Sequence, residues 1–170
     1  DHKVIGIQYL CTTFFFFVAG GFMAMLFRAE LARPGLQFLD SQSFNGLVSV
    51  HATLMIFVFI IPAFAGLANF AVPLMLGAPD MAFPRLNALS YWLFLGSGLF
   101  MYTGLAVGNG PNAGWFDYVP LAGPQYSFGK RVDLWAQMIT FTEVSALLDA
   151  VIIIATVFKM RAPGMTLNRI

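Results

Sequence analysis

Charge is what this chain lacks most. Of its 170 residues only 10% are Asp, Glu, Lys or Arg, against about 25% in a soluble domain. Hydrophobic residues make up 59% and aromatics 16%, so the composition is that of an integral membrane protein. A net charge of +1 leaves no basic face for nucleic acid and no run of like charges for an interaction tail, which sets nucleic-acid binding aside. Cysteine is nearly absent too. Cys11 alone permits neither an intrachain disulfide nor a CxxC redox or metal motif, says nothing of compartment, and is expected to pack as a small apolar side chain. No Ser-His-Asp or Cys-His arrangement and no glycine-rich phosphate loop occurs, which argues against hydrolase and nucleotide chemistry. Internal repeats and low-complexity linkers are also missing.

The longest gap in charge is the most informative. From Ser41 to Pro79, 39 residues contain no Asp, Glu, Lys or Arg, and His51 lies inside them. Charge-free runs place membrane helices at about 4–27, 45–73, 87–107 and, more weakly, 134–158. Each supplies the roughly 20 residues a spanning helix needs. The first, Val4 to Phe27, exceeds the apolar region of a secretory signal, and its Ala19-Gly20-Gly21 patch suits close helix contact. Pro62 predicts a kink in the second, tolerated where neighbours satisfy the freed carbonyl. Turn chemistry separates the helices at Arg33-Pro34-Gly35, Gly77-Ala78-Pro79-Asp80 and Gly108 to Asn112. Lys3, Arg85, Lys159, Arg161 and Arg169 fall on one side and Arg28, Arg33, Lys130 and Arg131 on the other, which favours the N-terminus inside.

A helix starting near Phe44 puts His51 about two turns in, roughly 11 Å down. An imidazole at that depth is either a metal or heme ligand, with its second nitrogen anchored by an acceptor, or a hydrogen-bonded structural histidine. One histidine cannot complete a bis-histidine heme site, and the other, His2, is at the terminus. Arg28 and Glu30 close the first helix, where Arg28 either snorkels to the interface or grips an anionic or carbonyl group of a buried cofactor. Asp80 is expected at the surface, solvated or paired with Arg85, or else at the head of a water chain lined by Asn69, Asn87 and Ser90. Glu143 and Asp149 lie six residues apart, about 240° around a helix. They are no carboxylate pair, and at least one should point into the bundle.

Several strings together resemble the N-terminal third of subunit I of the heme-copper oxidases, of the cytochrome c oxidase type. They are Asp1-His2-Lys3 with Ile5-Gly6, Arg28-Ala29-Glu30-Leu31 before Pro34-Gly35, Asn45 through His51 into Met55-Ile56-Phe57, Val72-Pro73-Leu74, Gly77 through Asn87, and Gly114-Trp115 before Pro120-Leu121. The run from Gly77 to Asn87 is the most specific. The resemblance implies an all-α integral membrane fold, with residues 1–170 forming four transmembrane helices of a bundle of about twelve. It implies that His51 is one axial ligand of the low-spin heme, a heme A, with Arg28 at its formyl group and Trp115 near the same edge. Asp80 then resembles a proton-channel entrance, lined by Asn69, Asn87 and Ser90, while Glu30 and Gly35 look like part of a small structural cation site.

The same resemblance assigns the second heme, the copper and the other axial ligand to later helices, so oxygen reduction needs the remainder of subunit I. It also implies other oxidase subunits, cytochrome c or quinol as donor, and a bacterial plasma membrane or mitochondrial inner membrane as location. A quinol oxidase, or a non-enzymatic scaffold or assembly protein, are the alternatives. Glu143 and Asp149 depart from the family, which carries small residues there, and Ile152 stands where an asparagine usually lines the channel. The upper proton path is therefore expected to differ.

Overall fold

Apolar residues repeating at helical spacing dictate the architecture. The computed structural model describes residues 1–170, and its regular elements are all helices: α1 (His2–Glu30), α2 (Ser41–Thr53), a π-helical segment (Leu54–Ile60), α3 (Ile61–Leu76), α4 (Pro84–Ala106), α5 (Arg131–Lys159) and a 3₁₀ turn (Leu167–Arg169). Along α1, Ile5, Tyr9, Thr13, Phe16, Gly20 and Met23 are buried at intervals of three and four, one inward stripe. Phe14, Phe15, Phe22 and Met25 point outward, and Cys11 is exposed rather than packed.

The second helix begins earlier than the apolar pattern suggested. Asp40 caps it by accepting the Ser43 N–H at 2.6 Å, so the helix starts at Ser41 and His51 sits about 15 Å along it, not 11 Å. From there one helix runs 36 residues, Ser41–Leu76. Pro62 cannot donate to the Val58 carbonyl, and its ring crowds that oxygen. The backbone answers with the wider π-turn over Leu54–Ile60 just upstream. Pro73 likewise denies the Asn69 carbonyl its usual donor, and Gly77 ends α3 in the left-handed conformation, φ 66°.

Three helices are long and apolar enough to cross a membrane: His2–Glu30, Ser41–Leu76 and Arg131–Lys159. This corrects the ranking expected from charge alone. The last of them, expected to be the weakest, has a mean hydropathy of 2.0. It is α4 that falls short, because its buried face carries the polar residues Asn87, Ser90, Tyr91 and Ser97.

Close approach positions the rest. Gly6 and Gly66 bring α1 and α3 together: a Cβ on Gly66 would lie 2.7 Å from Tyr9 Cβ, and one on Gly6 would lie 2.9 Å from the Gly66 carbonyl oxygen. Tyr9 is thereby pressed into the bundle, stacked on Phe94 with ring centroids 5.1 Å apart. Phe16, Val50, Leu54, Val58, Met101 and Met138 complete the core around it.

Candidate functional site

Two polar regions interrupt this apolar interior. The first centres on His51, half-buried on α2, with Nδ1 2.9 Å from the Gly20 carbonyl oxygen of α1. A carbonyl can only accept, so Nδ1 carries the proton and Nε2 keeps its lone pair. No group of this chain hydrogen-bonds Nε2. The Phe27 ring meets the imidazole edge-on at 5.4 Å. Gly20 is the member of the small-residue patch that makes the contact, for a Cβ there would lie 2.4 Å from Met55 Cε, whereas Gly21 faces nothing within 4 Å.

Arg28 follows Phe27 in the last turn of α1 and is exposed, with no protein partner. Trp115 is held from the other side: Ser49 on α2 accepts the Gly114 N–H at 2.9 Å, Gly114 takes φ 88°, and the Trp115 ring lies 6.5 Å from Phe57. His51 and Trp115 are thus both anchored to the long second helix, while Arg28 closes the end of α1.

The second region runs inward from Asp80. Its Oδ1 accepts the N–H of His2 at 3.0 Å and of Met81 at 2.8 Å, and His2 Nδ1 lies 3.4 Å away. The partner anticipated at Arg85 is replaced by these groups, since α1 begins beside the α3–α4 turn. Burial pushes the Asp80 carboxyl up, but the Met81 and His2 amides together with nearby positive charge outweigh it and hold it below the usual carboxylate range. Ala82 N–H then bonds Thr156 Oγ1 of α5 at 3.0 Å, fixing the turn to the bundle.

Deeper in, Asn87, Asn69 and Ser90 are fully buried. Both side-chain atoms of Asn87 and Oδ1 of Asn69 lack a partner within the chain, the condition in which buried amides recruit ordered water. Ser90 belongs to a tight cluster: Ser90 Oγ donates to Asp149 Oδ1 at 2.8 Å, and Tyr9 Oη donates to Asp149 Oδ2 at 2.9 Å. Ser145 Oγ donates to the Ser90 carbonyl at 2.6 Å. Asp149 is the inward acid of α5, while Glu143 is exposed. Ile152, in place of the expected amide, is fully buried.

Glu30 and Gly35 lie apart from both regions. The Glu30 carboxylate accepts the N–H groups of Gln37, Phe38 and Leu39 at 2.7, 2.9 and 3.0 Å, tying down the loop between α1 and α2. Gly35, at φ 86°, offers its carbonyl to Gln37 Nε2 at 3.3 Å.

Sequence reasoning missed Tyr9 and the role of Ser145. The signal was present in α1, where Tyr9 shares the four-residue spacing of Ile5 and Thr13 and so must face inward with its hydroxyl. No group of three or more His, Cys, Asp or Glu side chains could hold a metal ion through protein atoms alone. A single imidazole with a free nitrogen instead fits a heme iron, whose in-plane donors come from the porphyrin.

Comparison with known proteins gives the family. The profile of the family described as Cytochrome C and Quinol oxidase polypeptide I matches residues 4–170. A putative cytochrome c oxidase subunit 1-beta of Streptomyces coelicolor is 51% identical over 99% of this chain and 30% of its own length. A probable subunit 1-alpha of the same organism is 47% identical over 99% of this chain and 29% of its own, and cytochrome c oxidase subunit 1 of Corynebacterium glutamicum is 43% identical over the same shares. The chain therefore spans about 30% of the length of the curated relatives it matches. With its motifs, helices and whole-length similarity in agreement, the chain belongs to the cytochrome c and quinol oxidase polypeptide I family.

Proposed function

We propose that this chain forms the heme-ligand and proton-entry part of a proton-pumping terminal oxidase, which takes electrons from cytochrome c and reduces oxygen to water. The observation that carries the reading is His51, whose Nδ1–H is fixed by the Gly20 carbonyl while Nε2 is left to bind iron. Such an anchor orients the ring and raises its basicity as a ligand. His51 would hold a low-spin heme A, which when bound would supply one-electron transfer, and the surrounding residues would place and tune it. Arg28 would donate to a polar substituent at the heme edge, with Trp115 packed beside that edge. The other axial ligand, the second heme and the copper are assigned to further helices of subunit I.

Asp80 receives protons at the surface, and Asn87, Asn69 and Ser90 lead them inward. Its lowered proton affinity keeps it ionised at neutral pH, which suits a collecting antenna. In this reading α4 is a fourth span: its 23 residues reach about 34 Å, more than the roughly 30 Å hydrocarbon core. A cation near Glu30 and Gly35 would share the carboxylate with three amide donors. Relatives in Streptomyces and Corynebacterium favour a bacterial plasma membrane, with the rest of subunit I, other oxidase subunits and lipid as partners. They also favour cytochrome c over quinol as donor, by their names. The test is His51→Ala in the complete subunit: the low-spin heme band should vanish from the reduced-minus-oxidised spectrum, and an unchanged band would falsify the ligand assignment.

A further inference from the structure

Asp149 is a buried carboxylate of α5 that no step above requires. It is 4% exposed, on a helix long and apolar enough to cross a membrane. A buried acid at such depth is costly unless it is bonded or functional. Its surroundings within this chain are neutral: Tyr9 from α1, Asn69 from α3 and Ser90 from α4, with no cation facing it. Its hydrogen bonds come from hydroxyls rather than from a fixed counter-charge.

The hydroxyls allow two complete hydrogen-bond patterns on one set of atoms. With Asp149 ionised, Ser90 Oγ–H points to Oδ1 at 2.8 Å and Tyr9 Oη–H to Oδ2 at 2.9 Å. With Asp149 protonated on Oδ1, that O–H donates to Ser90 Oγ, whose own proton turns to the Asn87 carbonyl, also 2.8 Å away. Only one hydroxyl rotates, and both Asp149 oxygens and the Ser90 hydroxyl stay hydrogen-bonded in either state. On the far side, Asp149, Tyr9, Thr142 and Ser145 line a cavity of about 280 Å³ that extends between Pro62, Ala65 and Phe94. Its walls are otherwise mostly apolar and one side is open, so a water there would find its polar partners only along the edge that these four side chains form.

We infer that Asp149 is a proton-carrying station of the inward path, loaded from the Asp80 side and emptied into the cavity beside Tyr9, and that Ser90 is the rotor that positions it. In each passage a hydronium held by Asn87 and Asn69 gives up a proton, breaking one of its O–H bonds as an O–H bond forms at Oδ1, and that bond then breaks as its proton passes to a water in the cavity, restoring the carboxylate. The station rests on the proton-entry reading of Asp80 and takes the place of the amide missing at Ile152, which is apolar and fully buried.

The test uses the complete oxidase, with low-spin heme content as the check of assembly. Asp149→Asn keeps the shape and hydrogen bonding but holds no acid proton. It should slow proton uptake by about 10²-fold and remove a deuterium-sensitive protonated-carboxyl band from the redox difference infrared spectrum. Where that variant does not assemble, Ser90→Ala, which keeps the acid, should shift the same band and slow uptake. Normal uptake and an unchanged band in either variant, with uptake slowed in Asp80→Asn, would overturn the station and leave the entry reading standing. Normal uptake in Asp80→Asn would overturn the entry reading, and the station with it.

Discussion

The imidazole of His51 and the backbone carbonyl of Gly20 are locked together at 2.9 Å across two helices. Because the acceptor is backbone, side-chain changes can disturb it only by moving the helices. Gly20→Val would displace Met55, whose Cε lies 2.4 Å from a Cβ at that position, and would press toward His51 Nδ1 at 4.0 Å. Heme affinity should fall by about 10- to 100-fold, the usual effect of losing an outer partner of a metal-ligating histidine. Gly21→Ala, which meets nothing within 4 Å, should leave it unchanged. Heme titration followed by optical spectroscopy of both variants in the complete subunit measures the difference.

Asp80 should confer a pH-dependent stability. Burial raises its proton affinity, the Met81 and His2 amides and nearby positive charge together lower it by more, and the net value lies below the usual range. A depressed carboxylate stabilises the fold above its unfolded pKa, near 3.9, and loses that contribution as pH falls through the folded value. Thermal unfolding of the native protein and Asp80→Asn should therefore differ at neutral pH and converge only below about pH 4. A constant gap across that range would contradict the assignment.

Gly66→Ala tests how Tyr9 is seated. The new Cβ would meet Tyr9 Cβ at 2.7 Å, a contact near the backbone that no flexible side-chain end can relieve. Overpacking of this kind costs about 1–3 kcal/mol. Denaturation in detergent should show the loss, and the protonated-carboxyl band of Asp149 should shift as the Tyr9 hydroxyl moves.

Glu30→Ala should free the loop between α1 and α2 by removing the acceptor of three backbone N–H groups. Limited proteolysis would then cut near residues 35–39 several times faster than in the native chain, while the low-spin heme spectrum stays in place.

The charge-free runs and the string from Gly77 to Asn87 made the helices and the family legible, because the absence of charge and a dense motif are both local properties of sequence. Asp149 could be marked as an inward acid by cost alone, but not its partners. Tyr9 and Asp149 are 140 residues apart, and spacing holds no information about which helices adjoin. Helix ends were misjudged where a polar cap did the work: Asp40 starts α2 ahead of its first apolar residue. The ranking of spans failed for a related reason. Glu143 and Asp149 made α5 look weak, while the cost of polar residues in α4 is hidden because their hydrogen bonds are made to other helices.

The widened turn at Leu54–Ile60 sets the angular phase between the two ends of one continuous helix. Each α-helical residue advances about 100° around the axis, so an inserted residue absorbed by a π-turn rotates everything beyond it by roughly that amount. His51 lies before the turn and looks toward Gly20; Gly66 and Asn69 lie after it and look toward Tyr9 and the polar interior. Deleting one residue within Leu54–Ile60 would leave the histidine aimed as it is and swing Gly66 and Asn69 away. The His51 end and the Gly66–Asn69 end of this helix are thus separately addressable by insertion or deletion.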